Sequence, residues 1–126
     1  MYGMVNECGF ICFLRRNEAF LSELGKSYSK LSWDDEDRAF HAHGHSCQEI
    51  YDLRYGKFAR VPDVVIWPAS HAQVELIVQL AVKHNVVIIP YGGGTTVTHA
   101  LLPPEHERRM IVSLDMHHVR IPILIA

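Results

Sequence analysis

Three consecutive glycines, Gly92-Gly93-Gly94, stand between Pro90-Tyr91 and Thr95-Thr96-Val97. They follow Val86-Val87-Ile88-Ile89, a short β-branched run that reads as a buried strand. Removing every Cβ where a strand ends allows φ > 0 and lets a ligand approach the main chain closely. Successive N–H groups in such a turn can converge on an anion, a phosphate or pyrophosphate above all. The hydroxyls of Thr95 and Thr96 can donate to phosphate oxygens. No Lys-Ser/Thr pair follows the glycines, so this is not a P-loop, and the spacing is not G-x-G-x-x-G. The competing reading is a plain tight turn that binds nothing.

The second unusual stretch is Arg38-Ala39-Phe40-His41-Ala42-His43-Gly44-His45. On an extended strand, alternating histidines lie on one side, and imidazole is a common metal ligand. The spacing is similar to the H-x-H-x-D-H of binuclear zinc hydrolases, but Gly44 stands where the carboxylate should be. No other cluster is spaced to complete such a site, so the expectation is a structural or solvent-facing role with no catalytic metal.

The chain that must position these residues has 126 residues, 48% of them hydrophobic, which suffices for one small domain with a core. A formal net charge of -2 gives no basic footprint and argues against nucleic acid as the main partner. Cys8, Cys12 and Cys47 are odd in number and lack C-x-x-C spacing, so reduced thiols are the simpler reading. No apolar run approaches the ~20 residues of a membrane span. Glu7 falls early and Arg15-Arg16 follow the apolar start, the wrong order for a secretory signal.

In chain order, Asn17 caps a short predicted helix over Glu18 to Leu24, with Phe20, Leu21 and Leu24 on one face and Gly25 as its stop. Lys26 to Asp37 reads as a polar, solvated loop ending in Asp34-Asp35-Glu36-Asp37. Ser46 with Glu49 forms a capping box for a helix from Cys47 that carries Ile50, Tyr51 and Leu53 and ends at Gly56. Val64 to Trp67 reads as a buried strand stopped by Pro68. Ser70 with Gln73 opens a helix from His71 to His84, apolar at Val74, Ile77, Val78 and Ala81, with Asn85 as a left-handed cap. The strand Val86 to Ile89 then delivers the glycines. This is a right-handed β-α-β unit whose two parallel strands are expected to be neighbours. The glycine loop would sit at a strand's carboxyl end, where open α/β sheets bind ligands. Met110 to Leu114 is a further strand, His117 and His118 are surface residues, and Ile121 to Ala126 is an apolar end suggestive of an incomplete domain.

Four motifs occur in order: the stretch from Asp37 to His45, then Arg60-Val61-Pro62-Asp63 running into Val64-Val65-Ile66-Trp67-Pro68, then Ile89 to Val97, then Val112-Ser113-Leu114-Asp115. Together they resemble the alkyldihydroxyacetonephosphate synthase (alkylglycerone-phosphate synthase) family, flavoenzymes of the vanillyl-alcohol oxidase type. The resemblance runs from about Asn17 to Arg120. It implies an α+β fold: the first part of a PCMH-type FAD-binding domain, a β-α-β unit with a glycine-rich pyrophosphate loop, preceded by short helices. It divides the chain into an unmatched leader (1–16), an N-terminal helical segment (17–60) and a truncated partial FAD-binding domain (61–126).

On that resemblance Pro90, Tyr91, Gly92, Gly93, Gly94, Thr95, Thr96 and Val97 bind FAD. Thr95 rather than a histidine directly after the glycines fits non-covalent attachment. A Cβ branch at Gly93 is expected to block both the turn and the approach of the pyrophosphate. The implied chemistry is ether-lipid synthesis without net redox. The flavin N5 attacks the substrate carbon, acyl-dihydroxyacetone phosphate loses its fatty acid, and a fatty alcohol replaces it. A homodimer and a peroxisomal location are implied for the complete enzyme, although no targeting signal is visible. The family's cap domain, catalytic tyrosine and histidines have no counterpart, so no catalytic residue is assigned and the fragment alone is expected to be inactive. The alternatives are a fragment of a flavin-dependent oxidoreductase of the same superfamily and a non-enzymatic interaction fragment.

Overall fold

The structure, a computed structural model, describes residues 14–55 and 58–120. The expectations for Gly56, for Cys8, Cys12 and residues 1–13 of the leader, and for the apolar end at 121–126 lie outside those residues. Helix α1 (Glu18–Leu24) begins where the sequence implies, since the Asn17 side chain accepts from the Phe20 N–H at 3.1 Å. The same amide donates to the His84 carbonyl at 2.9 Å, so one residue caps α1 and ties it to the end of helix α4 (His71–His84). Gly25, at φ 57, closes α1 in the left-handed half of the map that glycine tolerates.

The stretch expected to be a solvated loop is ordered into two elements. Strand β1 (Lys30–Ser32) pairs antiparallel with β2 (Val64–Trp67), Leu31 opposite Ile66. The acidic run then opens helix α2 (Asp35–Phe40), with Asp35, Glu36 and Asp37 in its first turn. Carboxylates there complement the helix dipole, which is why a run that looks like a solvated loop in sequence becomes a helix start. Arg38, 1% exposed, is held by Asp35 at 2.9 Å and by the Pro62 carbonyl at 2.8 Å.

Helix α3 (Cys47–Tyr55) starts on the expected capping box: Ser46 Oγ accepts from the Glu49 N–H at 3.2 Å, and Glu49 accepts from the Ser46 N–H at 3.1 Å. In α4, Ser70 accepts from the Gln73 N–H, while the Gln73 amide reaches back to the Ala69 N–H rather than to that of Ser70. Its buried stripe is Ile77, Leu80 and Ala81. Val74 packs partly against the core, whereas Val78 is 42% exposed and leaves the expected face to Leu80. Steps of three and four from Ile77 reach Leu80 and Ala81, whereas Val78, one residue on, lies about 100° around the helix. Asn85 has the left-handed conformation its place after the helix implies (φ 56, ψ 48).

The sheet order is β1-β2-β4-β3, with β3 (Val87–Tyr91) and β4 (Ile111–Asp115) parallel to each other and β4 parallel to β2. This corrects the expected adjacency of β2 and β3, because β4 fills the space between them. The consequence is visible in burial. Strands β2 and β4 are buried along their whole length, and their near-continuous apolar runs suit central parallel strands. Among the described residues strand β3 is an edge, only half-buried from Val87 to Ile89, which corrects the fully buried reading of that run. An edge is also where Pro90, lacking an N–H, is tolerated inside a strand. The main core joins Phe20 and Leu24 of α1, Ile77, Leu80 and Ala81 of α4, and Val64, Ile66, Val112 and Leu114 of the sheet. Full burial of each Val, Leu, Ile or Phe contributes ~1.5–3 kcal/mol.

Candidate functional site

Tyr91 pairs with Asp115 at the carboxyl ends of β3 and β4, and the glycines follow at once. The three glycines are not equivalent. Gly94 has φ +70, and a Cβ there would lie 2.2 Å from the Tyr91 hydroxyl. Only glycine fits that position. Gly92 and Gly93 lie outside the left-handed region; a Cβ on Gly92 would meet nothing within 4 Å, and one on Gly93 only the Thr95 side chain at 3.7 Å. Turn geometry therefore does not demand glycine at 93, contrary to the sequence-based expectation; only close approach by something outside the chain does. Pro90, Gly92, Gly93, Thr95 and Val97 are exposed, Thr96 half-exposed, and Tyr91 and Gly94 buried. Of the two threonines, Thr96 spends its hydroxyl inside the loop, accepting from the Thr98 N–H at 3.2 Å and pairing with the Thr98 hydroxyl at 2.9 Å.

The histidine stretch does not form a strand. It leaves α2 through a turn, and its three rings diverge to separate partners. His41 donates through Nδ1 to the Asp37 carbonyl at 2.7 Å and meets Asp115 with Nε2 at 2.7 Å. Both ring nitrogens face acceptors. His43, buried, stacks on Phe58 with centroids 5.5 Å apart and donates to the Gly44 carbonyl at 2.9 Å. His45 donates its backbone N–H to the Thr96 carbonyl at 2.8 Å and its Nδ1–H to the Gly94 carbonyl. Among the described residues, no group of three or more His, Cys, Asp or Glu is placed to hold a metal ion.

Carboxylates that the sequence does not advertise organise the surroundings. Glu49, fully buried, accepts from the N–H groups of Gly44 (2.8 Å) and Ser46 and lies 4.0 Å from His99. Burial pushes its carboxyl up, but the Gly44 N–H and the Ser46 hydroxyl and N–H outweigh it and hold the group below the ordinary range. Asp115 bridges His41 and His117, the latter at 2.5 Å, and accepts the His117 N–H at 2.9 Å. Burial opposes its charge, yet these hydrogen bonds keep it below the usual carboxylate value. The Tyr91 phenol is pushed up by burial and by nearby Asp115, and its ring lies 4.4 Å from that of His41. Asp63, fully buried, accepts from both terminal guanidinium nitrogens of Arg60 (3.1 and 2.9 Å) and from the Ile111 N–H (2.8 Å), locking the entry of β2 to that of β4. The one signal for Glu49 was its place in the capping box. The one signal for Asp115 was its place at the end of the Val112-Ser113-Leu114-Asp115 motif, which did not show its partners.

A cavity of about 520 Å³ opens between α2 and α3, lined among others by Asp37, Phe40, His43, His45 and Leu53; none of residues 90–97 lines it. The glycine loop is instead an open, backbone-built surface at the end of a parallel strand.

Comparison with known proteins bears on that loop directly. A family described as FAD binding domain matches residues 62–121, which include it. The alkyldihydroxyacetonephosphate synthase of Caenorhabditis elegans is 41% identical over 100 residues, 79% of this chain and 17% of the relative. That of Trypanosoma brucei brucei is 39% identical over 105 residues, 81% of this chain and 17% of the relative. A solved alkyldihydroxyacetonephosphate synthase structure superposes with a TM-score of 0.78 at 36% identity, covering 83% of this chain and 20% of that one. The chain thus spans about one-sixth of the length of the curated relatives it matches.

Proposed function

We propose that this chain, which belongs with the alkyldihydroxyacetonephosphate synthases and carries an FAD binding domain over residues 62–121, forms the pyrophosphate-binding part of a flavin-dependent alkylglycerone-phosphate synthase. FAD is the cofactor, held without a covalent bond. The observation that carries the reading is glycine at 92 and 93, where neither backbone conformation nor crowding inside the protein calls for it. A pyrophosphate lying over those two residues does. The loop's backbone N–H groups and the exposed Thr95 hydroxyl would donate to its oxygens, while Gly94 and Tyr91 fix the turn beneath. When bound, FAD supplies the covalent chemistry by which the acyl group of acyl-dihydroxyacetone phosphate is exchanged for a fatty alcohol.

These residues bind and orient; none touches the reacting atoms, and no catalytic role is assigned to them. Orientation of the isoalloxazine and capture of the lipid fall to parts of the roughly sixfold longer relatives that have no counterpart among the described residues. The complete protein works as a homodimer in the peroxisome on this reading. The test compares residues 1–126 with a full-length protein carrying them. The long form should retain stoichiometric flavin after gel filtration and incorporate labelled fatty alcohol into alkyl-dihydroxyacetone phosphate, while residues 1–126 do neither. A long form that holds FAD and oxidises a hydroxy acid without forming the alkyl product would make the chain part of an oxidoreductase instead. One that holds no flavin would leave it an interaction fragment.

A further inference from the structure

The segment from His41 to Glu49 meets the glycine loop at Tyr91, Gly94 and Thr96. A Cβ on Gly44 would lie 2.3 Å from the Thr96 carbonyl oxygen and 2.6 Å from Thr96 Cγ2, so the two backbones approach as closely as glycine permits. His45 holds two loop carbonyls, that of Thr96 through its N–H and that of Gly94 through Nδ1–H. His41 packs on Tyr91, whose hydroxyl underlies Gly94. Glu49 ties the N–H groups of Gly44 and Ser46 together and faces His99, a non-glycine residue at φ 61 just past the loop. Carbonyls occupied in this way cannot turn toward a ligand, which leaves the loop's N–H groups as the side presented to an anion. We propose that Gly44, His45 and Glu49 are positioning residues of the cofactor site, a clamp that sets the loop in its phosphate-accepting form before FAD arrives.

The inference rests on the FAD reading and deepens it: the histidine stretch forms the back wall of the pyrophosphate loop. A clamp and a merely structural contact differ in what they spend. Loss of a clamp leaves the fold and costs affinity, because FAD must then order the loop itself. The experiment uses the full-length protein, stripped of flavin, with FAD titrated by fluorescence and the melting temperature of the apoprotein measured alongside. Gly44→Ala, which sets a Cβ against the Thr96 backbone, should weaken FAD binding at least tenfold and lower apoprotein melting as well, so its loss is read beside that of the His45 variants, which should melt like wild type. His45→Ala, at an exposed side chain, should weaken it several-fold, and His45→Asn, whose amide N–H can replace Nδ1–H, should restore most of the loss. If Gly44→Ala does not fold, the His45 pair decides. Unchanged FAD affinity in the folded variants, or equal losses for His45→Ala and His45→Asn, overturns the clamp. A wild-type protein that holds no FAD sinks the parent reading and the clamp with it.

Discussion

Valine at position 93 and valine at position 94 should do opposite things. At Gly93 the new Cβ meets only Thr95 Cγ2 at 3.7 Å and Oγ1 at 3.9 Å, ordinary contact distances, and the backbone is not left-handed. Fold stability should therefore stay within about 0.5 kcal/mol of wild type. The side chain would instead project where the pyrophosphate lies. A charge-assisted hydrogen bond from a backbone N–H is worth about 1.5–3 kcal/mol. Each one lost weakens FAD binding roughly 10- to 150-fold. At Gly94 the Cβ would lie 2.2 Å from the Tyr91 hydroxyl and 2.8 Å from Cζ, with φ at +70. Tyr91 is 3% exposed and packed on His41, so it cannot swing aside. The left-handed conformation costs about 1–2 kcal/mol and the overpacking about 1–3 more. Gly94→Val should thus lower apoprotein stability by about 2–5 kcal/mol by the sum of those two costs. Chemical denaturation of the apo full-length protein and FAD titration separate the two effects. Wild-type FAD affinity in Gly93→Val would refute the loop assignment. Equal apo stability of the two variants would refute the geometry that distinguishes the glycines.

Asp63→Ala should destabilise by about 3–5 kcal/mol in urea denaturation, because it leaves the Arg60 guanidinium buried without its carboxylate and frees the Ile111 N–H. In α4, Ile77→Ala should cost about 2–5 kcal/mol, whereas Val78→Ala, at a 42% exposed position, should stay within about 0.5 kcal/mol; equal losses would restore the sequence-based face. The depressed carboxyls of Glu49 and Asp115 set a pH dependence whose sign is fixed. A carboxylate more acidic in the folded than in the unfolded state stabilises above the unfolded value, about 4, and loses that contribution as pH falls through the lower folded value. The stability advantage of wild type over Glu49→Gln and over Asp115→Asn should therefore shrink as pH falls below about 4 and vanish in acid. An advantage that grows below pH ~4 would contradict the hydrogen bonds assigned to these groups.

Local signals in this chain are strong and were legible. Asn17, Ser46, Ser70 and Asn85 each cap a helix as their chemistry requires, and the runs at 64–67 and 111–114 are buried strands. Non-local pairing was not legible. Nothing in Val86 to Ile89 says that a later strand will insert between it and Val64 to Trp67, because parallel partners are chosen by tertiary packing and not by local sequence. The short strand Lys30–Ser32 was missed for the same reason: a three-residue edge has almost no pattern of its own. In the site, the glycine loop was readable from composition, but the division of labour within it was not. That depends on where the Tyr91 hydroxyl ends up.

The corrected strand order also explains why the histidine stretch is where it is. Had β3 lain between two neighbours, the loop at its end would have been supported on both sides by strand ends. Among the described residues it is an edge strand, hydrogen-bonded to β4 alone. A loop of three glycines on such an edge has little intrinsic order, since glycine loses more conformational freedom on fixing than any other residue. Asp115 at the end of β4 reaches it only indirectly, through His41 and Tyr91. The remaining support must come from elsewhere in the chain, and it comes from Gly44, His45 and Glu49, brought alongside because β1 joins the far side of the sheet and α2 packs on β2. The residues N-terminal to the family match at 62–121 are thus structurally part of the loop they precede.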